Sequence, residues 1–236
     1  MTLEAALEAM AALRASLIPV PASPQQGICA TCHSGAGKGF ERCFPCGHER
    51  PHLPEIVPIT MSLNGGLIHH HLRDYKDSFD LKERAWMTRR LSALTAVFLH
   101  YHHRCLGEWD VVLPVPSVRR CAPAAIVAQV VMLKSSPQVT ASVDPAGTMV
   151  IPENLVGKRV LVFDDTFTKG SSVWNAVQAV RVAGGSVVGP LVIGRHVTPD
   201  WSPTDEMLAW LSGRVWSERS CCRRNGELKT PGSLPI

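Results

Sequence analysis

Two adjacent aspartates followed by a hydroxyl-rich glycine turn are the residues of this sequence best suited to chemistry. They lie in Lys158-Arg-Val-Leu-Val-Phe-Asp164-Asp165-Thr166-Phe167-Thr168-Lys169-Gly170-Ser171-Ser172. Ionised carboxylates only accept hydrogen bonds, so the pair can receive them from two vicinal hydroxyls. Thr168 to Ser172 adds hydroxyls, backbone N–H groups and a helix start, the ingredients of an anion site. Together they suit a sugar phosphate. A purely structural turn would need one short polar cap rather than this array.

The elements around these residues place Asp164 and Asp165 at the C-terminal end of a strand. Val160 to Phe163 is an apolar run without alternation, as expected of a strand covered on both faces. Parallel sheets bind ligands beyond the C-terminal ends of such strands. Val173, Ala176, Val177, Val180 and Ala183 recur at helical spacing, and Gly184-Gly185 stops the helix. Val187 to Ile193 is a second buried strand, completing a strand–helix–strand unit.

A second group of candidate ligands precedes this unit. Cys29-x-x-Cys32 and Cys43-x-x-Cys46 flank a ten-residue loop containing Gly35, Gly37 and Gly39. Two such knuckles match a tetrahedral structural zinc site, and four thiolates leave no open position for catalysis. His33 and His48 flank the knuckles as alternative ligands. Gly35-Ala-Gly-Lys38 is not a P-loop, since Gly39 rather than Ser or Thr follows the lysine.

The 236-residue chain is 45% hydrophobic and 19% charged, with a formal net charge of +4. That composition fits one α/β domain with small additions, and it excludes a largely disordered chain. The charge suits an anionic ligand and is too small to demand nucleic acid. Aromatic residues are only 6%, against the stacking platforms of single-strand binders. The sequence contains no apolar run long enough for a transmembrane helix, and Glu4 and Glu8 are unlike a basic leader, so a cytoplasmic protein is expected.

The acid and hydroxyl segment resembles the 5-phosphoribosyl 1-pyrophosphate (PRPP) signature of type I phosphoribosyltransferases, with Lys169 and Ser172 where the pattern has threonines. With the four-cysteine ribbon ahead of it, the stretch from about Cys29 to Arg195 resembles the ComF family, linked to bacterial competence. The resemblance implies a mostly parallel sheet flanked by helices plus a small N-terminal zinc ribbon. It implies an N-terminal helix and linker at 1–26, the ribbon at 27–52, a phosphoribosyltransferase-like domain at 53–200 and a C-terminal extension at 201–236.

The implied reaction displaces pyrophosphate from ribose C1 of PRPP with a nitrogen acceptor, with Mg²⁺ accompanying PRPP. Asp164 and Asp165 would hold the ribose, and Thr166, Thr168, Lys169, Gly170, Ser171 and Ser172 the 5′-phosphate. Asp110 to Ser117 reads as a buried strand with a proline-fixed turn, and the family places pyrophosphate at such a Pro-Val-Pro turn. Pro116, Ser117, Arg119 and Arg120, with Arg73 and Lys76, are the pyrophosphate candidates. The family's Arg-Gly-Phe-Asn run is replaced here by Cys121-Ala-Pro-Ala. That departure leaves open a non-catalytic PRPP-binding or partner-binding protein of DNA uptake. Family analogy also implies a homodimer. The Gly194-Arg195-His196 strand end and the Trp201 tail are the candidates for acceptor recognition.

The resemblance further implies a strand at Leu67 to His71, and apolar periodicity predicts a helix over residues 3 to 17, a helix over 81 to 104 and another over 124 to 133. The His69-His70-His71 and His100, His102, His103 groups show no complete metal set, and Cys221-Cys222 reads as free thiols or a distant ligand.

Overall fold

The computed structural model describes residues 1–23, 25–117, 122–199 and 202–223. Arg119, Arg120, Cys121 and Trp201 therefore lie outside the described residues. A four-stranded parallel sheet forms the centre, built from β1 (Val57–Leu63), β2 (Val111–Pro114), β5 (Arg159–Phe167) and β6 (Ser186–Val197) in the order β1-β6-β5-β2. A two-stranded antiparallel ribbon, β3 (Ser142–Val143) with β4 (Met149–Val150), stands apart from it. The expected architecture of a parallel sheet flanked by helices is the one observed.

Each face of the sheet is covered because its strands are apolar on both sides. Leu161 and Phe163 of β5 join the core under α3 (Leu81–Leu106), together with Leu91, Leu94 and Phe98. Val160 and Val162 point the other way, into a core with Ala176, Ala179 and Val180 of α6 (Ser171–Val182). This alternation continues into the acid pair, since successive strand residues face opposite sides. Outside α3, α1 (Leu3–Arg14) buries Ala6, Met10 and Leu13 against the same core. Each buried Met or Leu there contributes about 1.5–3 kcal/mol.

The C-terminal segment returns to the body. After α7 (Ser202–Leu211), Trp216 Nε1 donates to the Ile59 carbonyl at 2.9 Å, and Arg223 Nε donates to Glu55 Oε2 at 3.0 Å. Among the described residues, no helix is long and apolar enough to cross a membrane.

Three sequence expectations are corrected. Leu67 to His71 is not a strand but the start of α2 (Leu67–Asp77), which buries Ile68, His71, Leu72 and Tyr75. Their spacing of three, four and seven is helical, and the interleaved histidines masked it. Residues 124 to 133 form two short helices, α4 (Ala122–Val127) and α5 (Val131–Lys134), separated where Val130 adopts extended backbone. The strand of the acid pair runs on to Phe167, so both aspartates lie within it rather than at its end.

Candidate active site

At the C-terminal end of the sheet, β5, the start of α6, the turn after β2 and α2 enclose an open cleft of about 480 Å³. Asp164, Asp165, Thr166, Thr168 and Ser172 line it, as do Val115, Pro116, Ser117, Arg73 and Lys76. Residues from four separate elements are thereby brought to one site.

The two aspartates leave β5 on opposite sides and meet different surroundings. Asp165 faces α2, where Tyr75 Oη donates to its Oδ2 and Lys76 Nζ forms an ion pair with the same oxygen. Asp164 Oδ1 accepts the Asp165 backbone N–H at 2.8 Å. Burial, and then the neighbouring Asp165 charge, push the Asp164 carboxyl well above the usual range, while Lys76 opposes them. Burial, followed by the Asp165 charge, likewise raises the Tyr75 phenol, keeping it a donor.

The hydroxyl segment forms a tight strand-to-helix turn. Gly170 has φ +83°, and a Cβ there would lie 2.3 Å from the Phe167 ring, so both conformation and space require glycine. Gly170 precedes α6 without a side-chain cap, which leaves first-turn N–H groups for an anion or water. Ser171 Oγ accepts from Arg50 Nη2 at 3.0 Å and is not among the cleft-lining residues, unlike Thr168 and Ser172. Lys169 is exposed beside them. Among the pyrophosphate candidates, Arg73 lines the cleft but its Nε is paired with Asp74 Oδ1 at 2.6 Å, whereas Lys76 is held by Asp165.

Two histidines complete the wall. His69 and His196 stack with centroids 4.9 Å apart, and His196 Nδ1 is buried with no hydrogen-bond partner. Desolvation first, then like charge, lowers both from the ordinary imidazole range. His196 belongs to the strand end expected to recognise the acceptor; Arg195 turns away from the cleft. The residue pattern gave no signal for His69 or Tyr75, whose places depend on the helical form of α2.

The four ribbon cysteines are buried with their sulfurs within 4.8 Å of one another. Cys32 Sγ lies 3.6 Å from Cys43 Sγ. Backbone bonds from His33 N to Cys29 O at 3.0 Å and from Gly47 N to Cys43 O at 2.9 Å close the two knuckle turns. Hydrogen bonds from Cys29, then Cys43 and Cys46, hold the Cys32 thiol well below its usual range. Four converging soft donors fit a tetrahedral thiophilic ion. His33 is excluded from the set because Pro21 O and Ile56 O take its two ring nitrogens at 3.0 and 3.1 Å. His48 stacks on Phe44 at 4.7 Å and is likewise outside the cluster. The ribbon packs closely on α7, since a Cβ on Gly35 would lie 2.0 Å from the Pro203 carbonyl oxygen.

No family model matches the chain. Orotate phosphoribosyltransferase of Mycobacterium avium is 31% identical over 159 residues, covering 64% of this chain and 84% of the relative. The enzyme of the same name from Mycobacterium tuberculosis H37Rv is 29% identical over 161 residues, covering 64% of this chain and 85% of its own. The crystal structure of that Mycobacterium tuberculosis protein with PRPP covers 56% of this chain and 86% of its own at 22% identity, with a TM-score of 0.34. That structural score adds nothing to the sequence match. With a relative matched at 31% identity over 84% of its length, the chain belongs to the phosphoribosyltransferase family.

Proposed function

We propose that the cleft binds PRPP and transfers its phosphoribosyl group to a nitrogen acceptor. The observation that carries this reading is the placement of Asp164, Asp165, Thr166, Thr168 and Ser172 around one cleft at the sheet's C-terminal end. In the reaction the C1–O bond breaks with its electron pair leaving on pyrophosphate. A C1–N bond forms from the acceptor lone pair, and the acceptor's proton passes to solvent. Asp164 and Asp165 hold the ribose hydroxyls and stabilise positive charge developing at C1. Thr166, Thr168, Lys169, Gly170, Ser171 and Ser172 form the 5′-phosphate turn, with Ser171 acting through its bond to Arg50.

Arg73, Lys76, Pro116 and Ser117 border the space for pyrophosphate, and Arg119 and Arg120 follow that turn in sequence. Lys76 must exchange part of its pairing with Asp165 for the pyrophosphate as substrate enters. The cleft's carboxylates, Asp77, Asp164 and Asp165, suit a hard cation. They would hold Mg²⁺ accompanying PRPP with few protein ligands, and the ion would supply charge neutralisation at the leaving group.

The same reading takes Cys29, Cys32, Cys43 and Cys46 as a structural zinc site. It divides the chain into the helix and linker at 1–26, the ribbon at 27–52, the transferase domain at 53–200 and the extension at 201–236. The seven cysteines among the described residues are all free, which favours a reducing cytoplasm. The ribbon ahead of a phosphoribosyltransferase domain supports placement with ComF-like proteins. The implied homodimer is checked by sedimentation.

One observation favours a second reading, PRPP or partner binding without turnover in DNA uptake: Tyr75 and Lys76 both occupy Asp165. Pyrophosphate release from PRPP and Mg²⁺, followed across orotate, adenine and simple amines, separates the two. Release with at least one acceptor is expected. Binding without release for every acceptor supports the second reading, and no PRPP binding overturns the transfer reaction and leaves only partner binding.

A further inference from the structure

Away from the cleft, His102 and Cys105 on α3 meet Cys221 of the C-terminal segment. Their ligand atoms lie within 4.8 Å of one another. We propose that these three residues form a second metal site, taking a thiophilic divalent ion of the zinc class and fastening the C-terminal segment to α3.

The imidazole is set for this role. His102 has no solvent exposure, and its Nε2 lies 2.7 Å from the Glu218 carbonyl oxygen. A carbonyl only accepts, so Nε2 carries the proton and Nδ1 keeps its lone pair. Nδ1 lies 3.8 Å from Cys105 Sγ. Tetrahedral zinc with ordinary bond lengths puts a ligating nitrogen and sulfur about 3.6 Å apart and two sulfurs about 3.8 Å apart. The i, i+3 spacing of His102 and Cys105 places both on one helix face. Cys221 is 7% exposed and reaches them from the return segment.

Independent contacts hold that segment in place. Arg223 Nη1 donates to the Cys105 carbonyl at 3.3 Å, and its Nη2 to the Glu55 carbonyl at 3.0 Å. Ser23 N donates to the Cys222 carbonyl at 3.4 Å. Among the described residues no fourth ligand atom joins the cluster, so an ion here keeps one position for water. A Cys105 S–H···Nδ1 hydrogen bond would account for the orientation of the imidazole, but not for a third donor, Cys221, converging on the same point. The inference is independent of the transfer reaction.

The test is metal content of the full chain purified anaerobically without chelators. Two zinc ions per chain are expected, falling to one in Cys105→Ser and in Cys221→Ser. Cobalt exchange supplies a second readout, in which the wild-type minus Cys105→Ser difference spectrum carries thiolate charge-transfer bands of a two-sulfur, one-nitrogen site. His102→Gln should remove the same bands while leaving those of the ribbon. A wild-type zinc content that Cys105→Ser and Cys221→Ser leave unchanged, or a Cys105–Cys221 disulfide in the anaerobic protein, would each overturn the proposal.

Discussion

Arg195 and Cys32 join the cysteine ribbon to the turn that follows β5. Arg195 Nε donates to the Cys32 carbonyl at 3.1 Å and Nη2 approaches Cys32 Sγ at 3.5 Å, while Nη1 donates to the carbonyls of Phe167 and Thr168 at 3.2 and 3.1 Å. A guanidinium can span these acceptors because its donors form a rigid fork. Each such charged hydrogen bond contributes about 1.5–3 kcal/mol when both partners are buried. The ribbon is thus mechanically part of the site. Arg195→Lys should lower PRPP affinity about tenfold, or about 1.4 kcal/mol, without touching the ligand. Calorimetric titration checks this. If the ribbon holds the proposed zinc, chelating it should weaken PRPP binding in the wild type by the same link.

Lys76 and Asp165 form a pair that is only 18% and 3% exposed. Removing one partner leaves a buried charge with a single hydroxyl donor, at a cost of about 3–5 kcal/mol. Lys76→Met should therefore unfold at clearly lower denaturant than the wild type, whereas Tyr75→Phe should shift the midpoint less. Equal midpoints for Lys76→Met and wild type in urea unfolding would show that the pair is not formed in solution.

Asp164 presents the opposite balance. Its ionised form is disfavoured by burial and by Asp165, and the hydrogen bond it accepts from the Asp165 backbone is equally available to an amide oxygen. Asp164→Asn should stabilise the free protein at neutral pH, raising Tm by about 2–4 °C for each kcal/mol gained. It should also lose most PRPP affinity. Those two outcomes together would place Asp164 where function is maintained against stability.

His196 makes stability depend on pH. Its folded-state pKa lies below the ordinary 6.5, chiefly through burial and then through His69 and Arg195, while the Ser62 backbone partly compensates. Above pH 6.5 the imidazole is neutral in both states, and its stabilising contribution is complete. As pH falls below that value the unfolded chain takes up the proton first, and the contribution is lost toward the folded pKa. Asp164 runs the other way in acid, because its raised pKa favours the folded state as protons are added. The comparison is therefore made between wild type and His196→Asn. Their difference in unfolding free energy should change between pH 7 and 5, with wild type losing more.

The catalytic half of the fold was readable from residue order because local pattern decides it. β5, α6 and β6 follow from two apolar runs, a helical stripe and a double-glycine stop, and the cysteine knuckles from their spacing. What escaped depends on contacts between distant segments. Tyr75 gains its role only when α2 brings it to Asp165, ninety positions along the chain. The strand at Leu67 to His71 was implied by the family resemblance, and the helical stripe of α2 that replaces it is filled out by His71 and Tyr75. Arg195 sits in a strand expected to meet the acceptor, and only the packing of the ribbon against β6 turns it toward Cys32. The same holds for Cys221, whose partners lie on α3.

The central claim is that Asp164 and Asp165 build a PRPP site, and titrating PRPP with Mg²⁺ into the wild type and into Asp164→Asn with Asp165→Asn tests it most directly. Saturable one-to-one binding in the wild type, weakened at least a hundredfold in the double variant while the variant remains folded, is the predicted result. Equal affinity in the two proteins, or no binding to the folded wild type, would contradict it.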